Sequence, residues 1–169
     1  MIMRSIKRVP VDNYNETLIF KENDDLDLFQ INELLDLDLF EGDIIIDDRK
    51  TLSSHRNAIK DLSWPWHDGV LPISVEPEVS MNVVGSLHQA IRELEARSVI
   101  SFRAADETIE DWIKIIHDGG CGSATGRRGG EQILSLSDGC NLMKTIIHEF
   151  LHALGIKHTQ VIYIFLFRF

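Results

Sequence analysis

Hydrophobic and polar positions recur with different periods along this chain, and the changes of period divide it. Between residues 24 and 40 leucine and aspartate alternate, which predicts an extended or poorly ordered segment. Residues 49–57 show no apolar period and carry Arg49, Lys50 and Arg56, the texture of a protease-accessible linker. From Trp64 onward the pattern becomes globular, so a domain boundary is placed near Arg56 and Asn57. Residues 70–75 read as a strand, and Val84, Leu87, Ile91 and Leu94 recur at steps of three and four, one face of a helix over residues 80–97. Residues 99–103 and 111–117 are short β-rich runs, residues 132–136 a further strand, and the glycine-rich stretch 119–130 a loop or turn. Residues 141–154 are apolar on nearly every side except at His148, Glu149 and His152. That is a helix buried in the domain with a few polar groups kept for a purpose. Strands interleaved with two principal helices predict an α/β fold with a twisted mixed sheet.

A length of 169 residues with 44% hydrophobic and 26% charged fits about one globular domain and excludes a collagen, a disordered tail or a membrane protein. The net charge of -10 argues against non-specific nucleic-acid binding, which needs a positive face to displace counterions from phosphates. Its distribution is uneven: residues 21–48 hold eleven acids and one base, so this stretch carries the whole imbalance. The first thirteen residues contain no apolar h-region, so no secretory signal is visible. No stretch approaches the ~20 apolar residues of a membrane helix; the apolar tail 161–169 is too short to span a bilayer. Cys121 and Cys140 are the two cysteines, either one staple or two buried thiols.

The chemistry concentrates in His148-Glu149-Phe150-Leu151-His152-Ala153-Leu154-Gly155-Ile156-Lys157-His158, the pattern H-E-x-x-H-x-x-G-x-x-H. On a helix, residues i and i+4 project about 40° apart, so His148 and His152 aim at one point, as a tetrahedral metal requires. Glu149 faces an adjacent direction, where it can act as a general base toward water without being a ligand. Gly155 can adopt positive φ, ending the helix and letting His158 return to the same metal. Three imidazoles leave one position open. Two blander readings compete: a buried helix whose histidines satisfy core hydrogen bonds, and a closed structural zinc site. The first buries three histidines and a glutamate at high cost; the second normally recruits a fourth protein ligand, usually cysteine.

The eleven-residue pattern is the metzincin signature. With Thr145-Ile146-Ile147 before it, Cys121-Gly122-Ser123, Gly126-Arg127, Leu134-Ser135-Leu136 and Gly139-Cys140, the chain resembles the astacin family of zinc endopeptidases over residues 36–160. Residues 37–44, Leu-Asp-Leu-Phe-Glu-Gly-Asp-Ile, resemble the end of an astacin propeptide, closest to the meprin branch; Arg56-Asn57-Ala58-Ile59 resembles the junction where the mature enzyme begins. Trp64-Pro65 with Val70-Leu71-Pro72-Ile73 fits the first mature strand. The resemblance implies one zinc ion per chain on His148, His152 and His158, with Glu149 as the catalytic base and protein or peptide substrates. It also implies that Asp43 occupies the open zinc position as a latency switch, which cleavage near Arg56 by a trypsin-like protease releases. Cys121 and Cys140 match the family disulfide, which forms in an oxidising compartment and so implies a secreted or extracellular enzyme; the sequon Asn15-Glu16-Thr17 points the same way. The run 111–117 is either a core strand or the edge strand along which the family binds substrate.

Other positions are given ordinary roles. His55, His67, His88 and His117 are isolated surface or hydrogen-bonded histidines, Arg127-Arg128 is a solvated turn rather than an anion site, and Trp64, Trp66 and Trp112 pack in the core or cleft. After Gln160 the resemblance stops. The last methionine is Met143 and Tyr163 lies too close to His158, so the family's methionine turn, its later tyrosine and its second disulfide have no counterparts. The chain is therefore expected to hold an acidic propeptide-like segment (1–56), a partial catalytic domain (57–160) and an unrelated apolar tail (161–169). That corresponds to the upper subdomain of a metzincin with the lower one missing. The expected function is zinc-dependent peptide hydrolysis, weak or absent in the chain as it stands; the alternative is a non-catalytic zinc-binding or interaction fragment.

Overall fold

The structure, a computed structural model, describes residues 27–45 and 66–158. The linker at 49–57, the junction at Arg56 and Asn57, Trp64, His55, the Asn15 sequon and the tail 161–169 lie outside the described residues. The elements in chain order are α1 (Leu28–Leu34), β1 (Val70–Val75), α2 (Met81–Arg97), β2 (Ser101–Ala104), β3 (Trp112–Ile116), β4 (Cys121–Ser123), β5 (Glu131–Leu136) and α3 (Met143–Ala153). A mixed α/β architecture with two long helices is thus observed as expected, and the boundaries of β1, α2, β5 and α3 follow the periodicity closely.

The five strands form one sheet in the order β2-β1-β3-β5-β4. The pairs β1–β2, β1–β3 and β3–β5 are parallel, and β4 alone is antiparallel, pairing Cys121 with Leu136 and Ser123 with Leu134. Parallel neighbours need long crossovers, and α2 supplies the one from β1 to β2. Along β3 the alternation places Ile113 and Ile115 inside while Lys114 faces out to Glu76 and Glu131, the period-two rule of a strand buried on one face. Both long helices contribute to a single core with Leu71, Ile113, Ile115, Leu134 and Leu136 from the sheet. Val83, Leu87 and Ala90 come from α2; Ile146, Phe150 and Ala153 come from α3. Phe150 is fully buried and meets Phe102 edge-on at 4.8 Å between ring centroids.

Two expectations are corrected and one open alternative is decided. The acidic stretch 24–40 is not extended throughout, because residues 28–34 form α1. Asp27 caps it, accepting from the Gln30 N–H while the Gln30 side chain accepts from the Asp27 N–H, and Ile31 is buried beneath it. The capping box and one anchored apolar side chain thus outweigh the local Leu/Asp alternation. The glycine-rich stretch 119–130 contains β4, since its three-residue ladder to β5 and the disulfide hold a segment whose own propensity is low. The run 111–117 is β3, between β1 and β5, so it is a core strand; the edge next to the histidine helix is β4.

Candidate metal centre

α3 is the scaffold of the site. It begins after Leu142 and buries Thr145, Ile146, Glu149, Phe150, His152 and Ala153, so the face carrying His152 and Glu149 is turned into the protein. Its end is defined by Gly155, whose φ of 97° no side-chain-bearing residue adopts cheaply. The chain turns there, with the N–H of Gly155 on the His152 carbonyl and that of Ile156 on the Leu151 carbonyl, and His158 comes back beside His148 and His152. The Trp66 indole N–H donates to the Ala153 carbonyl at 2.9 Å, holding the same turn from the other side.

The Nε2 atoms of the three histidines lie 3.0 Å (His148–His152), 3.1 Å (His148–His158) and 3.1 Å (His152–His158) apart. Asp43 Oδ2 stands 2.8 Å from His148, 3.4 Å from His152 and 3.1 Å from His158. These six separations are the edges of a nearly regular tetrahedron. Nitrogen and oxygen ligands ~2.0–2.1 Å from a common zinc would be roughly 3.3 Å apart. The proton positions agree: the His152 Nδ1–H donates to the Ile156 carbonyl at 2.7 Å, and the His158 Nδ1–H to Glu41 Oε2 at 3.2 Å. With a metal bound, an imidazole that donates from Nδ1 presents its Nε2 lone pair to the ion. Lone pairs and a carboxylate converging on one point repel unless a cation sits between them, so the donor set fits a divalent metal such as zinc. Asp43, His148, His152 and His158 are the one such group among the described residues.

The acidic segment reaches this centre as a tight loop. Phe40 and Ile44 exchange backbone hydrogen bonds at 2.9 Å, and Glu41 and Gly42 take positive φ of 54° and 94° at the tip. A Cβ on Gly42 would also stand 2.8 Å from the Phe29 ring. Beyond the tip, the Ser123 N–H donates to the Asp43 carbonyl and the Ile45 N–H to the Ser123 carbonyl, both at 3.0 Å. The segment therefore adds itself to the free edge of β4, in parallel sense. Burial alone would raise the pKa of Asp43, but in the metal-free centre, where a proton on Nε2 takes the place of the cation, hydrogen bonds from His148, His152 and His158 outweigh it and hold the carboxyl far below the usual carboxylate range. Glu149 is the opposite case: burial pushes its carboxyl well above the ordinary range, and the Asp43 charge pushes it further. Both Glu149 oxygens are buried without a protein hydrogen-bond partner, an arrangement more consistent with chemistry than with a purely structural carboxylate.

The structure brings together His148, His152, His158 and Asp43, with Glu149 near enough to feel the Asp43 charge, and it bonds Cys121 to Cys140. His67, His88 and His117 stand outside the metal group, as expected. Arg127 departs from its expected role as part of a solvated turn: it pairs with Asp111 at 2.5 Å, side chains 18% and 23% exposed, while Arg128 donates to the Thr125 carbonyl. Three residues near the site had no sequence signal of their own. Glu41 is one charge among many until His158 is seen beside it, and Phe29 and Asn32 become visible only once α1 is folded. Phe29 lies edge-on to His148 and His158 at 6.3 and 5.5 Å.

The sequence pattern of the Astacin peptidase family matches residues 58–163. Human meprin A subunit beta is 39% identical over 138 residues, 80% of this chain and 19% of that protein. The Caenorhabditis elegans zinc metalloproteinase nas-4 is 32% identical over 126 residues, 71% of this chain and 40% of that protein. Among solved structures, high choriolytic enzyme 1, a hatching enzyme zinc-protease from Oryzias latipes, superimposes with a TM-score of 0.57 at 34% identity, covering 62% of this chain and 56% of that one. The chain spans about a fifth of the length of the meprin relative.

Proposed function

The chain belongs to the astacin family of zinc peptidases, and from that premise we propose that it is the latent form of a zinc-dependent metalloendopeptidase acting on protein or peptide substrates. The observation that carries this reading is the tetrahedron of three histidine nitrogens and one Asp43 oxygen. His148, His152 and His158 would hold one zinc ion per chain, and Asp43 would fill the fourth position. When bound, zinc supplies Lewis-acid polarisation of the scissile carbonyl and lowers the pKa of water.

The remaining roles belong to this chain's side chains and backbone. Glu149 accepts the proton of the attacking water and returns it to the leaving amine; both its oxygens are buried without a protein hydrogen-bond partner and so are free for that exchange. Ser123 presents its N–H and C=O on the outer edge of β4, where they would orient an extended peptide once the acidic segment has left. While the segment remains, Asp43 excludes water from the fourth position and the Asp43–Ile45 backbone covers the same edge. Cleavage near Arg56 by a trypsin-like protease is the proposed release step, with residues 1–56 acting as pro-segment and the catalytic domain beginning at Asn57. The Cys121–Cys140 bond supports a secreted or extracellular location, because such bonds persist in oxidising compartments.

The test is metal analysis on the purified chain, with peptide hydrolysis measured on a form that carries Asp43→Ala and is continued past residue 160 with the lower subdomain of a relative. His152→Ala should remove most of the zinc, whereas Glu149→Gln should keep one zinc per chain and lower hydrolysis by about 10²–10⁴. Equal zinc loss in both variants would refute the roles assigned. Full zinc occupancy with no hydrolysis in any form would favour the non-catalytic reading.

A further inference from the structure

Asn32, on the middle turn of α1, is 2% exposed, and every polar atom of its side chain is used. Its Nδ2 donates to the Gly42 carbonyl at 2.7 Å and to the Cys121 carbonyl at 2.6 Å, and its Oδ1 accepts the Cys121 N–H at 2.8 Å. On an edge strand the N–H and C=O of alternate residues point to the free side. On β4 those residues are Cys121 and Ser123. The acidic segment's backbone satisfies Ser123, and the Asn32 amide satisfies Cys121. A primary amide offers one acceptor and two donors, so Asn32 can pair with both groups of Cys121 as a peptide unit would and still hold Gly42, the residue before Asp43.

The surface that receives it is cut to fit. A Cβ on Gly120 would stand 2.5 Å from Asn32 Oδ1, and one on Gly122 would stand 2.8 Å from the Asp43 carbonyl. Neither close approach would survive a side chain there. One turn before Asn32, Phe29 packs on Gly42 and on the His148 and His158 rings. The face of α1 bearing Phe29 and Asn32 therefore touches the metal histidines, the inhibitory loop and the edge strand together.

We propose that Asn32 is a positioning residue of the latent state: its side-chain amide stands in for a peptide group on β4 and thereby sets the register in which Asp43 meets the histidines. The proposal deepens the latency reading above and rests on it for its biological meaning. Asparagine is required for its shape and its donors. Aspartate has the same size and keeps an acceptor for Cys121, but it turns both donor contacts into repulsions between oxygens. Alanine removes all three bonds.

The test follows amide hydrogen exchange in the full chain, with zinc removed by a chelator so that no metal holds Asp43 in place. The Ser123 N–H bonds to the Asp43 carbonyl and does not touch Asn32, so it reports the register of the segment at a distance. Asn32→Ala and Asn32→Asp should each speed its exchange by about tenfold or more, the scale expected when buried partners are left unsatisfied. Exchange at Ile115, buried in the central strand, should stay unchanged. Unchanged exchange at Ser123, or an equal rise at Ser123 and Ile115, would overturn the proposal, the latter by showing general destabilisation. The readout uses neither metal nor substrate, so it is decided separately from whether Asp43 suppresses hydrolysis.

Discussion

At the scale of single residues, the centre is a balance between burial and compensation. Asp43 is fully buried, and a lone carboxylate there would be neutralised; three imidazoles at 2.8–3.4 Å, sharing a proton or a cation with it, make the ionised form the stable one. Glu41 extends the same logic outward, since its carboxylate accepts the Nδ1–H of His158 and so keeps the Nε2 lone pair aimed inward. Partners that orient a ligand in this way typically contribute about 10- to 100-fold to metal affinity. Glu41→Gln should therefore weaken zinc binding about tenfold in a chelator competition, while leaving one zinc per chain at saturation. Unchanged affinity would mean that the backbone alone orients His158. Asp43→Ala is expected to act differently: it opens the fourth position to water, so in a form continued past residue 160 with the lower subdomain of a relative, peptide hydrolysis should rise even with the segment still attached.

At the scale of elements, α3 performs two tasks with one sequence. Its apolar side chains Ile146, Phe150 and Ala153 bury into the sheet side, and that packing fixes the helix rotation that turns His148 and His152 toward Asp43. Phe150 sits between the two metal-facing histidines in sequence and is fully buried. Phe150→Ala should cost about 3–5 kcal/mol of unfolding free energy, measured by chemical denaturation of the metal-free chain. Zinc affinity should fall with it, because a loosened helix no longer presents its imidazoles at fixed separations. A stability loss with unchanged affinity would show that the ligands are positioned locally. α1 is the contrasting element. Seven residues are too few to be helical in isolation, so its existence depends on the Asp27 cap, on Ile31 and on its contacts with β4.

At the scale of the whole molecule, the Cys121–Cys140 bond ties the edge strand to the short turn that leads into α3, across 19 residues of sequence. Closing a loop of that length contributes roughly 3 kcal/mol in the chain-entropy view. Reduction should lower stability by about that amount. It should also loosen the acidic segment more than the central strands, because the segment docks on the strand the bond anchors; hydrogen exchange before and after reduction checks both. Equal loosening everywhere would mean the bond acts only on the unfolded chain. The same arrangement gives the negative charge a purpose that composition could not supply: at Asp43 and Glu41 the acidic run meets the histidine cluster, where carboxylates are stabilised by what they touch.

Much of this was legible in the chain itself. The spacing of His148, His152 and His158 around Gly155 determines which nitrogens can share a metal, because helix geometry and one left-handed turn follow from local sequence. The periodicities of β1, α2, β5 and α3 were likewise local and were read closely. What depended on the tertiary structure was everything set by partners far away in sequence. Strand order put residues 121–123 at an edge and residues 112–116 in the interior, although the latter look more like a strand. Residues 28–34 became a helix because a cap and a distant docking surface overrode their alternation. Asn32 acquired a role only when folding placed it against Cys121, 89 residues away. Hydrogen bonds between such distant groups leave no period in a sequence, since their energy depends on burial and orientation that only the assembled fold provides.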